Sequence, residues 1–598
     1  MAKMNNIGYR VGCYDGYYGE FRFGQDDVRF IPWGRDIRLK RVFQCIETSE
    51  YYVEIGFFLP DGNAARCLLS RAEIAENGIA AKLSAKGASV STKRADVLQQ
   101  YLNQQYEQYK GDIECFHTGV GWLDVKGVEI YRAQSAVGEL SSLYHGELDL
   151  REQGSYEAWR DMIVKDVLPF PALTLILIAG LSAVVTGFLY NKVTLLNSII
   201  SLAGMSSTGK TSAGILAAST GCRPALGVRQ TTDFVGDVRY CAGGISTWDA
   251  TKAALLTRMQ GNFGVPIVLD ELSKCEIKDL SGVVYAISEG VDKDRLAKDC
   301  TRRIQPNFHT TVVSIGEEKL TDRCRTQQAG VLTRIFEVSG QLTKSAEHAN
   351  RIVAVCRKNY GFAAPMLAEF MIHQGADRIV ALYQRKVSSF RKLLPDSPFA
   401  DRRAQQFGGL FLTTAVLAKK ALGIDFDTKE LRNFTLLCER DFFETPDITA
   451  QVYADLLSWV GVHRQKFEDG AHTNERFGKI YEGAAIPRFR QAPAGLIREI
   501  AIFPKIFQRF LSEHGYVNYN QIIKTWRSQG LVITDQQKTT YRRKVDGMQH
   551  DLIIVRQFQA LDVNTEEEEN DLQKSYNRAE LAERQNAIID EISSNLAC

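Results

Sequence analysis

The chain carries almost no excess charge: 73 Lys and Arg face 71 Asp and Glu, a formal net charge of +2 over 598 residues. A global basic field is thereby excluded, so any contact with nucleic acid has to come from a local patch or channel. The 12 cysteines include no Cys-x-x-Cys pair, and Cys115 with His117 lacks the companions of a zinc site. They read as reduced, mostly buried thiols. No low-complexity tract interrupts a composition that is 45% apolar and 24% charged, which is that of an ordinary globular protein of roughly three to five domains. No apolar signal segment follows Met1-Ala2-Lys3-Met4-Asn5-Asn6, so a cytoplasmic protein is expected.

One apolar run needs a decision. Phe170 to Tyr190 is long enough to cross a bilayer on count alone. A strand-like run, Val193 to Ala203, begins within a few residues of it, too close for a core strand tethered to a membrane helix. Thr174, Gly180, Ser182, Thr186 and Gly187 suit close packing instead, and the expectation is a buried helix with no membrane partner.

After that strand comes Gly204-Met205-Ser206-Ser207-Thr208-Gly209-Lys210-Thr211, followed by an alanine-rich helical run from Ser212 to Ser219. Strand, glycine-bounded loop and helix in this order form a phosphate-binding loop. Backbone N–H groups of residues 204–212 close around the phosphates of ATP, with Ser206, Ser207, Thr208 and Ser212 as candidate contacts. Lys210 neutralises the β- and γ-phosphate oxygens, and the Thr211 hydroxyl ligates Mg²⁺. About sixty residues on, Val265-Pro266-Ile267-Val268-Leu269-Asp270-Glu271 is a buried parallel strand that delivers two carboxylates at its C-terminal edge. Asp270 is placed for the Mg²⁺ shell and Glu271 for orienting and deprotonating a water, a division of labour that phosphoryl transfer requires. A third strand, Thr310 to Ser314, offers Ser314 as a contact to the γ-phosphate or the water. Arginines that would complete such a site from a neighbouring subunit are Arg295, Arg302, Arg303 and Arg334, with Arg334 and Arg295 put forward as catalytic.

The fold class expected is α/β: a P-loop NTPase core with a parallel sheet, preceded by an α+β N-terminal module and followed by helical and winged-helix-like domains. The divisions are an N-terminal module over 1–115, with strands around the Pro60-Asp61-Gly62 turn and a helix over 96–109, then a Gly/Trp connecting segment over 116–164. The ATPase core follows over 165–345, then a helical domain over 346–475, with helices over 370–385 and 411–422. Residues 476–560 read as helix, helix, strand, basic turn, strand, the order of a winged helix. From Lys479 to Arg556 thirteen Lys/Arg stand against six Asp/Glu, with Arg542, Arg543 and Lys544 as candidate phosphate contacts. An acidic linker at Glu566 to Glu569 and a helical tail to Leu596 end the chain over 561–598.

These blocks resemble a known family. The Gly204 to Thr211 loop with Ala217-Ala218-Ser219, Trp248-Asp249-Ala250-Thr251, Val268-Leu269-Asp270-Glu271-Leu272, Tyr285 with Glu289-Gly290, Ser314-Ile315-Gly316-Glu317 and Arg334 are similar to successive blocks of the phage- and plasmid-associated family known as domain of unknown function nine-two-seven. Thr118-Gly119-Val120-Gly121-Trp122, Trp159-Arg160 and the block from Ile502 to Val555 fit the same pattern. Asp249 stands where the family has a basic residue. The resemblance implies a helicase-like ATPase of a mobile element, related to RecA-like and AAA+ rings. ATP hydrolysis would be coupled to movement on single-stranded or forked DNA by a homo-oligomeric ring, with a hexamer favoured. The alternative is an ATP-driven switch or assembly ATPase, for example in anti-phage defence, acting on a protein partner bound through the winged helix or the tail.

Overall fold

A computed structural model of the chain describes residues 9–24, 27–76, 78–205, 207–291, 307–324, 329–444, 448–467, 475–482, 496–514, 516, 519–535, 538–545 and 547–558. It divides into two compact units, residues 1–445 and 446–598.

The first unit is organised around five parallel strands: β1 (Ser198–Ala203), β2 (Ile245–Thr247), β3 (Ile267–Asp270), β4 (Thr311–Gly316) and β5 (Ile335–Ser339). Their order in the sheet is β2-β3-β4-β1-β5. Both faces are covered, so β1 and β4 read as nearly continuous apolar runs rather than alternating ones, and every residue of both is buried. On one face lie helices α1 (Pro171–Leu189) and α2 (Lys210–Ser219) together with helices of the 346–444 region. On the other lie α3 (Lys252–Met259) and α4 (Ser281–Glu289).

Helix α1 settles the question raised by its composition. Its mean hydropathy is 2.3, enough by length and composition to cross a membrane, yet 94% of its most apolar window is buried inside the protein. Such a helix, apolar all round, needs partners all round. Gly180 and Gly187 make room for them: a Cβ at 180 would stand 2.8 Å from the Ala217 carbonyl oxygen, and one at 187 only 2.0 Å from that of Phe263. The Ser182 hydroxyl bonds to Thr311 at 2.9 Å, joining the helix to β4. The Trp122 indole donates to the Val184 carbonyl at 2.7 Å.

Around this core the chain adds β structure. Tyr9–Tyr14, Tyr17–Phe23 and Val28–Arg35 form a three-stranded antiparallel sheet. Arg38–Cys45, Tyr51–Phe58 and Ala64–Ser70 form the meander expected around Pro60-Asp61-Gly62, and it gains Ile113–His117 as a parallel neighbour. The helix over Ala95–Glu107 packs against both sheets. The helix expected over 370–385 is two, Ala363–Gln374 and Ala376–Arg391. They are broken at Gly375, whose φ of +80° and ψ of 154° no helix accommodates.

In the second unit Ile448–Val462, read from sequence as part of the helical region, packs its Val452, Leu456 and Val460 on Phe507, Phe510 and Trp526. The Trp526 indole donates to the Thr449 carbonyl at 2.9 Å. Helices Pro504–Glu513 and Tyr519–Ser528 and strand Val532–Ile533 stand where the sequence puts them. Three strands went unread: Gly478–Glu482, Leu496–Ile502 and Tyr541–Val545. The last carries the candidate phosphate contacts Arg542, Arg543 and Lys544 and pairs in register with Met548–Phe558, Arg543 opposite His550.

The tight seat of α1 gives a stability test. Gly187→Ala forces a methyl into the Phe263 carbonyl, and overpacking of this kind costs about 1–3 kcal/mol. A thermal melt of the variant is expected to be lower by several degrees; a melt equal to wild type contradicts this packing.

Candidate functional site

The sheet register brings the sequence-predicted carboxylate and loop to one edge. Leu269 is level with Ser314, and Ser314 with Ser201, so Asp270 ends its strand beside the last residues of β1. From there the chain turns through Gly204–Gly209 into α2, whose N-cap is Gly209 in the left-handed region at φ 90°. Gly204 has φ 151°, and a Cβ on Gly209 would stand 2.5 Å from the Thr343 hydroxyl oxygen. Glycine is required at 209 on both counts.

Across the gap the Thr211 hydroxyl donates to Asp270 Oδ2 at 3.4 Å. Lys210, nearly buried, donates from Nζ to the carbonyls of Gly204 and Met205, both at 2.6 Å. Burial first, and the neighbouring Glu271 charge, push the Asp270 carboxyl above its ordinary pKa; its own Oδ1 accepts from the Glu271 N–H at 2.7 Å. Glu271 itself holds φ 59°, and Ser207 φ 67°. They are two of the five non-glycine residues with positive φ among those described, the others being Asp15, Ser49 and Lys126. Backbone held in this region costs about 1–3 kcal/mol a residue and marks places where geometry is constrained for a purpose. The Glu271 carboxylate meets Lys274 Nζ at 2.6 Å, on the exposed rim.

Several supports surround the loop, and the structure gives a role to tryptophan blocks that the sequence marks only by resemblance. The segment after β5 braces the loop, with the Leu342 N–H donating to the Thr208 carbonyl at 2.9 Å. Trp248 is fully buried and fastens two strands, its backbone N–H donating to the Asp270 carbonyl at 3.0 Å and its indole to Ser314 Oγ at 3.0 Å. Thr251 caps α3 through the Ala254 N–H. Trp159 donates to Ser219 Oγ at 3.0 Å, at the far end of α2, and Arg160 donates to the Gly423 carbonyl at 3.1 Å. The tryptophan blocks thus act as braces around the loop and α2. His117 is a satisfied core histidine: its ring nitrogens bond Ser142 and the Ala133 carbonyl, each at 2.8 Å, and burial lowers its pKa to about 4.

The remaining candidates are not gathered at this edge. Ser314, expected at a strand end, is buried two residues before the end of β4 and accepts from Trp248. Arg334 precedes β5, whose first residue is paired with Ile199 near the start of β1, so it lies at the opposite edge of the sheet, ~15 Å of strand from the loop. It is nearly buried, donating to the Gly330 carbonyl at 2.5 Å, meeting Glu289 at 3.4 Å and lying 4.4 Å from the Tyr285 ring centre. Arg295, Arg302, Arg303 and Ser206 lie outside the described residues, as does the tail over 561–598.

In the second unit the basic cluster is split by its strand. Alternation sends Arg543 inward to Glu499 at 2.7 Å, a buried carboxylate that also meets Arg556 at 3.4 Å. Arg542 and Lys544 face outward, Arg542 toward Asp551 at 3.3 Å. On Tyr519–Ser528, Lys524 and Arg527 are exposed one helical turn apart, opposite the buried Ile522, Ile523 and Trp526.

Residues 23–306 match the family described as "Domain of unknown function (DUF927)", and residues 447–558 the one described as "Cch helix turn helix domain". No curated protein matches the chain. A solved structure titled "SCCmec type IV Cch - active helicase" superposes with a TM-score of 0.70 over 93% of this chain and 98% of that one, at 21% identity. At that identity the likeness is one of fold: mixed α/β with a parallel sheet and a C-terminal helix-turn-helix region. The chain is therefore similar to the DUF927 family across residues 23–306 and to the Cch helix turn helix domain across residues 447–558.

Proposed function

We propose that the chain is an ATP-hydrolysing helicase-like motor of a mobile element, coupling hydrolysis to movement on DNA, with residues 165–345 as a P-loop ATPase core. The observation that carries this reading is the meeting of Thr211 and Asp270 beside Lys210 and the strained Ser207 and Glu271, at the C-terminal edge of a parallel sheet where ligands of open α/β folds bind. Lys210 and the N–H groups of residues 204–212 hold the phosphates of ATP. Thr211 and Asp270 hold Mg²⁺: a hydroxyl and a carboxylate, both hard oxygen donors, suit it. Bound there, the ion supplies neutralisation of phosphate charge. Glu271, on the exposed rim, orients a water and accepts its proton. Ser314 acts through Trp248, fixing the end of β3 rather than touching phosphate.

The fold likeness to a structure titled as an active helicase, spanning nearly all of both chains, supports a motor over a protein-directed switch, as does the helix-turn-helix domain with Lys524, Arg527, Arg542 and Lys544 exposed. Arg334 stands too far along the sheet to reach the loop of its own chain. In a ring, a hexamer in the reading favoured here, a neighbour's Arg295, or its Arg334 once released from Gly330, Glu289 and Tyr285, completes the site. The protein would work in the cytoplasm.

Three outcomes follow. Lys210→Ala and Glu271→Gln are expected to lower ATP turnover by about 10²-fold or more, while wild-type turnover rises with single-stranded DNA; turnover indifferent to nucleic acid excludes the motor. Arg334→Ala is expected to lose about 10³-fold, and mixing it with Glu271→Gln to restore part of the rate, because mixed rings contain an intact Glu271 facing an intact Arg334. No recovery on mixing excludes Arg334 as the residue acting between subunits. For Asp270 the folded pKa lies above the unfolded one, so the ionised carboxylate opposes folding at pH 7, a penalty that fades as pH falls through the folded value and is gone below the unfolded one. Asp270→Asn is therefore expected to melt at or above wild type at pH 7 without Mg²⁺ while losing turnover, and a lower melt contradicts the assigned environment.

A further inference from the structure

The N-terminal sheet presents an aromatic face that the ATPase reading does not use. Cross-strand register puts the side chains of residues 10, 12 and 14 on one face with those of 17, 19, 21 and 23, and of 28, 30, 32 and 35. The opposite face is closed at its centre, where Tyr18 is fully buried and stacks on Tyr101 at 5.6 Å and buried Glu20 is held by Arg94 and Arg22, and is exposed only toward Tyr9, Arg22 and Arg29 at its end. The first face is open. Tyr14 is 62% exposed, Tyr17 44% and Phe23 36%.

The rings on it form a continuous surface. Tyr14, Phe21 and Phe30 lie within 6.5 Å of one another, centre to centre. Phe21 and Phe30 lie over the glycines at 12 and 19, where a Cβ would stand 2.9 Å from either ring. Small residues at those two positions thus keep the aromatic layer low and level. Arg10 reaches over Phe23 at 5.9 Å, and Arg35 shares the face beside Tyr17. Among the described residues the carboxylates of the segment are off it, and Asp26 lies outside them. Glu20 and Asp36 are paired with arginines, while Asp15 and Asp27 sit at the turns.

We propose that this sheet, residues 9–35, is a stacking platform for a single strand of nucleic acid, with Tyr14, Tyr17 and Phe23 taking bases and Arg10 and Arg35 meeting phosphates. Partly exposed rings interleaved with arginine, with no carboxylate of the described residues among them, match the chemistry by which single strands are held without sequence preference. A second copy fits worse. Two such faces brought together would meet with the same positive sign, Arg10 and Arg35 on each. The platform is separate from the nucleotide site, so Glu271→Gln is expected to bind single strands as wild type does.

The test is fluorescence anisotropy of the full chain with fluorescein-labelled oligo(dT), oligo(U) and a duplex of equal length. It compares wild type with Tyr14→Ala/Phe23→Ala, each also carrying Lys524→Ala/Arg527→Ala so that helix-turn-helix binding cannot mask the effect. Losing two rings is expected to weaken oligo(dT) binding by about 5-fold or more in both backgrounds, with duplex affinity and basal ATP turnover unchanged. Tyr14→Phe, which keeps the ring, retains affinity and separates stacking from loss of fold. Equal oligo(dT) affinity of the double variant and its parent in both backgrounds overturns the proposal. So does a changed oligomeric state on gel filtration with single-strand binding intact, which assigns the face to a second copy. Stronger loss for oligo(U) than for oligo(dT) makes RNA the strand held.

Discussion

A single register relation underlies the candidate site: Leu269 level with Ser314 and Ser314 level with Ser201, across three buried parallel strands. It puts the end of β3 beside the end of β1, so that the carboxylate of one meets the first turn of the helix that follows the other. A slip of one residue would turn Asp270 to the other face of the sheet. Much of the first unit serves to prevent that slip. Trp248 ties Asp270 to Ser314, the Leu342 N–H holds Thr208, and Trp159 fixes the far end of α2. Helix α1, buried on one face of the sheet, gives it a rigid floor, each buried Leu, Ile or Val contributing about 1.5–3 kcal/mol.

The energetics of the site run against those of the floor. Asp270 is partly buried beside a second carboxylate, and Ser207 and Glu271 hold backbone conformations that most residues avoid. Such features persist only where the surrounding structure over-determines them. A buried apolar frame and a strained polar rim together suit the phosphate chemistry proposed for this site. The outlying elements extend the same logic, with an aromatic sheet at one end of the chain and an exposed basic helix at the other.

Sequence made the loop, the carboxylate strand and the buried helix legible because each rests on a local rule: glycines where φ is positive, an apolar run before two acids, small residues inside an apolar helix. What it hid was long-range. Ser314 reads as a strand-end hydroxyl, and only the register shows it beneath Trp248. The run over 370–385 has helical spacing on both sides of Gly375, and periodicity alone cannot see the break. Arg542, Arg543 and Lys544 look like one basic cluster because charge is counted without direction; pairing with the next strand turns Arg543 inward to Glu499. The face shared by Tyr14, Tyr17 and Phe23 exists only through cross-strand pairing, and alternation within one strand does not reveal what stands beside it.

The most direct measurement is a crystal or cryo-EM structure of the chain with Mg²⁺ and a non-hydrolysable ATP analogue. The account predicts phosphates enclosed by the N–H groups of residues 204–212, Lys210 Nζ moved from the Gly204 and Met205 carbonyls onto phosphate oxygen, and the ion between Thr211 and Asp270. Nucleotide bound elsewhere, or phosphates at the loop with the ion remote from Asp270, would contradict it.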